Sequence, residues 1–250
     1  MTDGRQLSKA ARRAVVLVGG GFMISPEMKA AGRDGGYRGW ALYMGGRAGV
    51  LGPAPAEVVS AALGFFEPGM VRTNWEAALR VRPLAETVQR YVAACHLWGR
   101  NRFGAMDGVE RLADLLDAVA QRVEPAGLPL FAGWYAVPLP DDAPARATQL
   151  LHVLREHRGG SHVMAVRAVG LSPLEAVLAG KHGAVANAQF FGWPEPYPEI
   201  GEQLTSLRIE AEQLTTEIVA PAYSGLTEAE ASDLVELLGA AEKQVSEWAA

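Results

Sequence analysis

Apolar residues in this chain recur at steps of three and four, and almost nowhere at steps of two. Leu112, Leu115, Leu116, Val119 and Val123 show the spacing after Asp107, Leu204, Leu207, Ala211, Leu214 and Ile218 show it again, and Leu234, Leu238, Ala241 and Val245 repeat it near the end. At 3.6 residues per turn this lays an apolar stripe along one helical face, whereas a half-buried strand needs strict alternation. Only Ala14 to Val18 and Trp134 to Val137 admit a strand reading. The expected fold class is all-α, a multi-helix, bundle-like body with a C-terminal antiparallel helix pair.

Helix-start signals agree. Ser25-Pro26-Glu27, Pro55-Ala56-Glu57 and Ser172-Pro173-Leu174-Glu175 each put proline near a first helical position with an acid behind it, and Ser172/Glu175 and Thr227/Glu230 are capping boxes. Helices are predicted over 107–123 and 145–158, the latter stopped by Gly159 and Gly160, with a new helix from Ser161 to about Val169. Gly127 to Pro140 reads as irregular or short-element chain, and Pro221 to Gly225 as the turn of the terminal pair. The expected division is a helical body with a candidate pocket over 1–182. Residues 183–250 then form a connector with Phe190, Phe191, Trp193 and Tyr197, and a helix pair that completes the body or makes a homodimer contact.

Charge narrows the partners. Lys plus Arg number 23 against 28 Asp plus Glu, a net charge of −5, which provides no general attraction for nucleic acid or anionic lipid. Apolar runs are broken well short of the ~18 to 20 residues that span a bilayer. Neither nucleic acid nor membrane is expected as a partner, and the location expected is cytoplasmic. A single cysteine, Cys95, excludes an internal disulfide and any multi-cysteine metal site. Gly19-Gly20-Gly21 after Ala14 to Val18 imitates a dinucleotide loop, but it lacks the G-x-G-x-x-G spacing and any Lys-Ser/Thr follow-on. The G-x-S-x-G and H-E-x-x-H signatures are absent too. No cofactor and no metal is assigned.

Candidate chemistry gathers at the histidines. His152, His157 and His162 bracket Gly159-Gly160 at five-residue spacing, and a step of five turns a helical side chain by about 140°. His157 follows the buried side of Leu150 and Leu154, while His152 pairs with Glu156 on a face nearer solvent. A glycine turn would swing His157 and His162 together beside Arg155 and Arg158. Such a corner suits an anionic or carbonyl-bearing ligand, with a neutral imidazole to move a proton. Two imidazoles with Glu156 or a distant acid could instead hold a metal, or both could simply pack in a helix corner. A second cluster, Trp40, Tyr43, Met44 and Arg47, shares one helical surface and forms either a pocket wall around a cation or plain core. Phe65, Phe66, Glu67, Met70, Arg72 and Asn74 make a third candidate wall, with Glu67 the acid expected to be drawn inward.

Tyr37 to Gly52 running into Pro55-Ala56-Glu57-Val58-Val59, the stretch Phe65-Phe66-Glu67-Pro68, the run Leu154 to Gly159 continued to His162, and Pro221-Ala222-Tyr223 together resemble an actinobacterial family of helix-rich proteins. Its longer members end in a winged helix-turn-helix region similar to that of MarR-type proteins. The resemblance covers most of the chain and implies a helical fold. Those relatives carry a recognition-type helix and a small wing after the region corresponding to Lys181-His182-Gly183. Here only the aromatic stretch intervenes, residues 183–198 hold no Lys or Arg, and 199–220 hold only Arg208. The reading element is therefore expected to be deleted.

The function expected on these grounds is an enzyme working on a small organic metabolite, anions included, in an internal pocket. His157 and His162 would handle protons with Arg158, and Trp40, Tyr43, Met44, Arg47, Glu67, Asn74 and Arg155 would bind substrate. The alternatives are a non-catalytic small-molecule binding protein derived from a ligand-sensing ancestor, and a structural or interaction protein.

Overall fold

The computed structural model describes residues 3–180 and 184–247. The expected division at 182/183, with Lys181 and His182, lies outside them. Among the described residues there is no strand, and the chain is all-α. In order the helices are α1 (Gly4–Gly21), α2 (Pro26–Gly35), α3 (Ala41–Ala48), α4 (Ala56–Leu63), α5 (Pro68–Val81), α6 (Leu84–Phe103), α7 (Val109–Ala120), α8 (Pro129–Tyr135), α9 (Ala143–Ala168), α10 (Pro173–Leu178), α11 (Ala184–Phe190), α12 (Glu202–Tyr223) and α13 (Glu228–Glu247).

Helix starts follow local chemistry. Asp3 accepts from the Arg5 and Gln6 amides at the start of α1, and Ser25 accepts from Met28 N ahead of Pro26 in α2. Both capping boxes form, with Ser172 and Glu175 exchanging bonds at α10, and Thr227 and Glu230 at α13.

The 26-residue helix α9 is the axis of the bundle, with α1, α6, α7, α8 and α12 packed around it. Every residue from Ala147 to Leu154 is buried, so this stretch of α9 is covered on all sides, while Met164, Arg167 and Ala168 near its end are exposed. Two of its buried polar groups find partners within the bundle: Thr148 Oγ1 donates to Pro144 O (2.9 Å), and Gln149 bridges His96 (2.7 Å) and Val137 O (3.1 Å), whereas neither ring nitrogen of His152 has a hydrogen-bond partner. Helices α12 and α13 both pack on α1.

Several local expectations change. Ala14 to Val18 is part of α1 and Trp134 part of α8; neither has a neighbouring strand to pair with, and tertiary packing settles them as helix. Within the stretch expected to be irregular or made of short elements, residues 129–135 form a short helix, because Pro129 opens the segment and Leu130, Phe131 and Trp134 bury one face. Gly19 is a crossing point. A Cβ there would stand 2.5 Å from Leu151 O, so its missing side chain lets α1 lie against α9, and it cradles no phosphate. The segment Gly4–Gly35 reaches a mean hydropathy of 1.2 over 18 residues, enough by length and composition for a membrane span. In the fold Leu7, Ala11, Ala14, Val15 and Val18 are buried in the core, as a core helix requires.

The glycine pair 159–160 is the main revision, since α9 runs through it without a break. Gly159 has nothing within 4 Å of an added Cβ, so Gly159→Ala should stabilise by roughly 0.5–1 kcal/mol through helix propensity. Gly19→Ala should destabilise by about 1–3 kcal/mol through overpacking against backbone. Urea unfolding of the two variants measures both, and a destabilising Gly159→Ala would restore the glycine turn.

Candidate functional site

Because α9 is continuous, His157 and His162 point about 140° apart from one rod. His157 lies against Phe131, ring centroids 5.6 Å apart, while His162 lies against Phe65 at 5.5 Å. They share no hollow, and the acid-base pair expected across a glycine turn does not form. Thr215 Oγ1 donates its hydrogen to Ala211 O (2.6 Å), so His162 Nδ1 donates to Thr215 Oγ1 (2.8 Å). Its Nε2 then carries the lone pair, 3.8 Å from Glu212 Oε1. Arg158 is committed as well, pairing with Glu212 at 2.6 Å, and Arg12 and Arg208 reach the same carboxylate.

His152, expected nearer solvent, is fully buried with Glu156 beside it at 3.7 Å. Glu156 is the centre the sequence concealed. Its two oxygens accept from Arg47 Nε (2.7 Å) and Nη2 (2.8 Å), a bidentate pair with both side chains under a tenth exposed. Arg47 also donates to Tyr43 Oη (2.9 Å), and its carbonyl accepts from Trp134 Nε1 (2.9 Å). Arg155 approaches Glu156 at 3.3 Å. Burial alone would raise the Glu156 pKa, but the Arg47 guanidinium outweighs it and holds the carboxyl at about 2.

The aromatic wall expected around a cation is packed core. Met44 is fully buried, Tyr43 and Arg47 nearly so, and Trp40 stacks edge-on against Tyr43 (5.1 Å) and Phe190 (4.9 Å). Glu67 is not drawn inward: it caps α5, accepting from the Gly69 (2.8 Å) and Met70 (2.6 Å) amides. Asn74 ties the loop before α3 to α5 through Trp40 N (3.1 Å). Cys95 is buried and its thiol pKa raised by desolvation. No group of His, Cys, Asp and Glu among the described residues could hold a metal ion.

The outer surface offers a different arrangement. The eight-residue α4 meets the 14-residue α5 through the four residues Gly64-Phe65-Phe66-Glu67, and Gly64 takes a φ of +72° as the chain turns. Val71, Trp75 and Ala78 bury one face of α5, whereas Gly69, Arg72, Thr73 and Arg80 form an exposed stripe along the other with Glu76 half-buried. Arg72 pairs with Glu57, and Arg80 with Glu76 at 3.1 Å, all of them surface contacts. A second pair, α10 and α11, has a shorter outer helix. Helix α11 buries only Ala188, and residues 184–207 hold no Lys or Arg. Net charge also conceals a division. Residues 1–183 carry 21 Lys and Arg against 16 Asp and Glu, and residues 184–250 carry two against twelve. The larger part of the chain is thus basic.

Two expectations follow from the interior. Burial lowers the pKa of His152 to about 3 and those of His157 and His162 to about 4. Protons therefore bind the unfolded chain first, so stability is full above about pH 6.5 and falls as pH drops toward 4, by about 1.4 kcal/mol per pH unit for each histidine. Urea midpoints across this range should show it, and His157→Gln should flatten the slope by one proton. Glu156→Gln should cost about 3–5 kcal/mol by leaving the Arg47 charge buried and uncompensated, and replacing both partners by apolar residues should recover most of that loss in thermal unfolding.

A family model described as a helix-turn-helix family matches residues 8–250. No curated protein and no solved structure matches the chain. The family match overturns the enzyme and small-molecule-binding readings, and with them the exclusion of nucleic acid as a partner. That exclusion rested on the net charge and on residues 183–220, and neither describes the face of α5. The wing of a MarR-type region has no counterpart among the described residues, which hold no strand. The chain belongs to the helix-turn-helix family.

Proposed function

We propose that the protein is a DNA-binding regulator that contacts duplex DNA through the exposed stripe of α5, with α4 as the supporting helix. The observation that carries this reading is the form of the pair: a short helix, a four-residue turn opening on a glycine of positive φ, and a longer helix whose solvent face holds Arg72, Thr73 and Arg80. Fourteen residues make a rod of about 21 Å, which the major groove of B-DNA admits. Arg72 and Thr73, near the start of α5, are of types that meet base edges, guanine by a bidentate guanidinium and thymine by a methyl contact. Arg80 and the exposed Arg38, on the loop that Asn74 holds to α5, are placed for phosphates.

The surface pairs Arg72–Glu57 and Arg80–Glu76 do not oppose this use, because exposed ion pairs are worth only about 0–1 kcal/mol and exchange readily for phosphate. The α10–α11 pair suits the role less well, since its outer helix has seven residues and no cation. Within the same proposal, 1–182 is the basic, DNA-facing part and 183–250 the acidic part. The protein is cytoplasmic, and a homodimer presents two copies of α5 to two half-sites.

Binding to a duplex selected from a random pool, followed by fluorescence anisotropy, tests the reading. With the two phosphate contacts of Arg38 and Arg80 in each chain the salt slope should be shallow, about −2 per chain bound. Arg72→Ala should cost about 1–3 kcal/mol on the selected duplex and little on an unrelated one, while Arg80→Ala should weaken both and reduce the slope by about 1. Unchanged binding in both variants would overturn it.

A further inference from the structure

The turn between α4 and α5 does not satisfy its own backbone. Glu67 spends its side chain on capping α5, and its amide donates outward to Phe191 O at 2.8 Å. Phe65 O accepts from Trp193 Nε1 at 2.9 Å. Both partners belong to a short segment that follows α11, more than 120 residues away in sequence. Buried or half-buried backbone groups of a turn must find partners somewhere, and here a distant strap supplies them.

The strap is built to keep its shape. Phe191 N, Gly192 N and Trp193 N donate back to Asn187, Gln189 and Ala188 carbonyls at 2.9 Å, and Tyr197 Oη donates to Trp193 O at 3.0 Å. Gly192 has a φ of +84°, and a Cβ there would stand 2.3 Å from Met70 Sδ, so it meets the first turn of α5 where no side chain fits. Phe191 packs edge-on against Phe66 at 4.9 Å, and Phe190 against Trp40 at 4.9 Å. Hydrogen bonds, a glycine contact and ring packing all converge on residues 65–70.

We infer that residues 190–193 clamp the α4–α5 turn and so set the angle at which α5 meets DNA, making Trp193 and Phe191 positioning residues for sequence discrimination. This rests on the reading of α5 given above. Base contacts demand that Arg72 and Thr73 arrive in register, whereas phosphate contacts tolerate a swing of the helix. Loosening the clamp should therefore reduce discrimination and leave charge-driven binding as it was.

Trp193→Phe keeps a ring in place and removes the bond to Phe65 O. The expected result is faster hydrogen exchange at the Glu67, Gly69 and Met70 amides, and about a fivefold loss in the ratio of affinities for the selected over an unrelated duplex. Affinity for the unrelated duplex and its salt slope should not move. Tyr197→Phe should shift both readouts in the same direction by less, which keeps the test open if Trp193→Phe folds poorly. Faster exchange with an unchanged ratio overturns the clamp while leaving α5 as the contact helix. A parallel loss on both duplexes overturns it too, as a general loss of structure. If Arg72→Ala and Arg80→Ala leave binding to both duplexes unchanged, the α5 reading fails first and takes the clamp's role with it.

Discussion

The Arg47–Glu156 pair is the constraint on which the interior depends. It joins α3 to the middle of α9 by two parallel hydrogen bonds in a site that is nearly dry. Such a pair adds little net stability over apolar residues of the same size, because desolvation offsets most of the attraction. Its effect is on uniqueness. A bidentate fork has one good geometry, so α3 cannot slide or rotate on α9 without stranding a charge. Trp134 Nε1 on the Arg47 carbonyl brings α8 into the same arrangement, and Tyr43 links it to the Phe66 and Trp40 rings. The chain of contacts runs from the buried carboxylate to the edge of the α4–α5 turn.

That continuity explains why an all-α interior made largely of small and aliphatic residues has one packing. Glycines let helices cross closely, as Gly19 does on α9. Close approach alone leaves the register of smooth helix surfaces loosely specified. Directional groups at a few depths supply the rest: Gln149 with His96, Arg47 with Glu156, and His162 with Thr215. Each lies at a different level of α9, and each engages a different neighbouring helix.

Much of the fold was legible in the sequence. Apolar spacing located α7, α12 and α13, and the Ser172/Glu175 and Thr227/Glu230 boxes marked real helix starts, because caps and periodicity are local properties of the chain. Gly159-Gly160 misled because glycine is equally consistent with a turn and with a tolerated helix position; what keeps α9 helical there is packing by neighbours distant in sequence. Glu156 was misplaced for a related reason. A carboxylate reads as solvent-facing until its partner is known, and Arg47 lies 109 residues away. In the α4–α5 region the informative residue was Gly64. It precedes Phe65-Phe66-Glu67 and a proline, a combination that marks a turn between helices, but the aromatic content drew Phe65, Phe66 and Glu67 into a candidate pocket wall.

Net charge was the most consequential misreading, and its correction bears on binding. A total of −5 describes the far field, whereas a DNA-binding face is felt within a Debye length of about 8–10 Å. Three acids of the C-terminal helices pair with cations of α1: Glu217 with Arg5, Glu212 with Arg12, and Glu242 with Arg13. These contacts join α12 and α13 to α1 and set Arg5, Arg12 and Arg13 of α1 against acids of the same fold. The cations of α5 likewise meet exposed acids, in surface pairs worth only about 0–1 kcal/mol. A negative total therefore does not exclude a face whose exposed side chains include Arg72, Thr73 and Arg80.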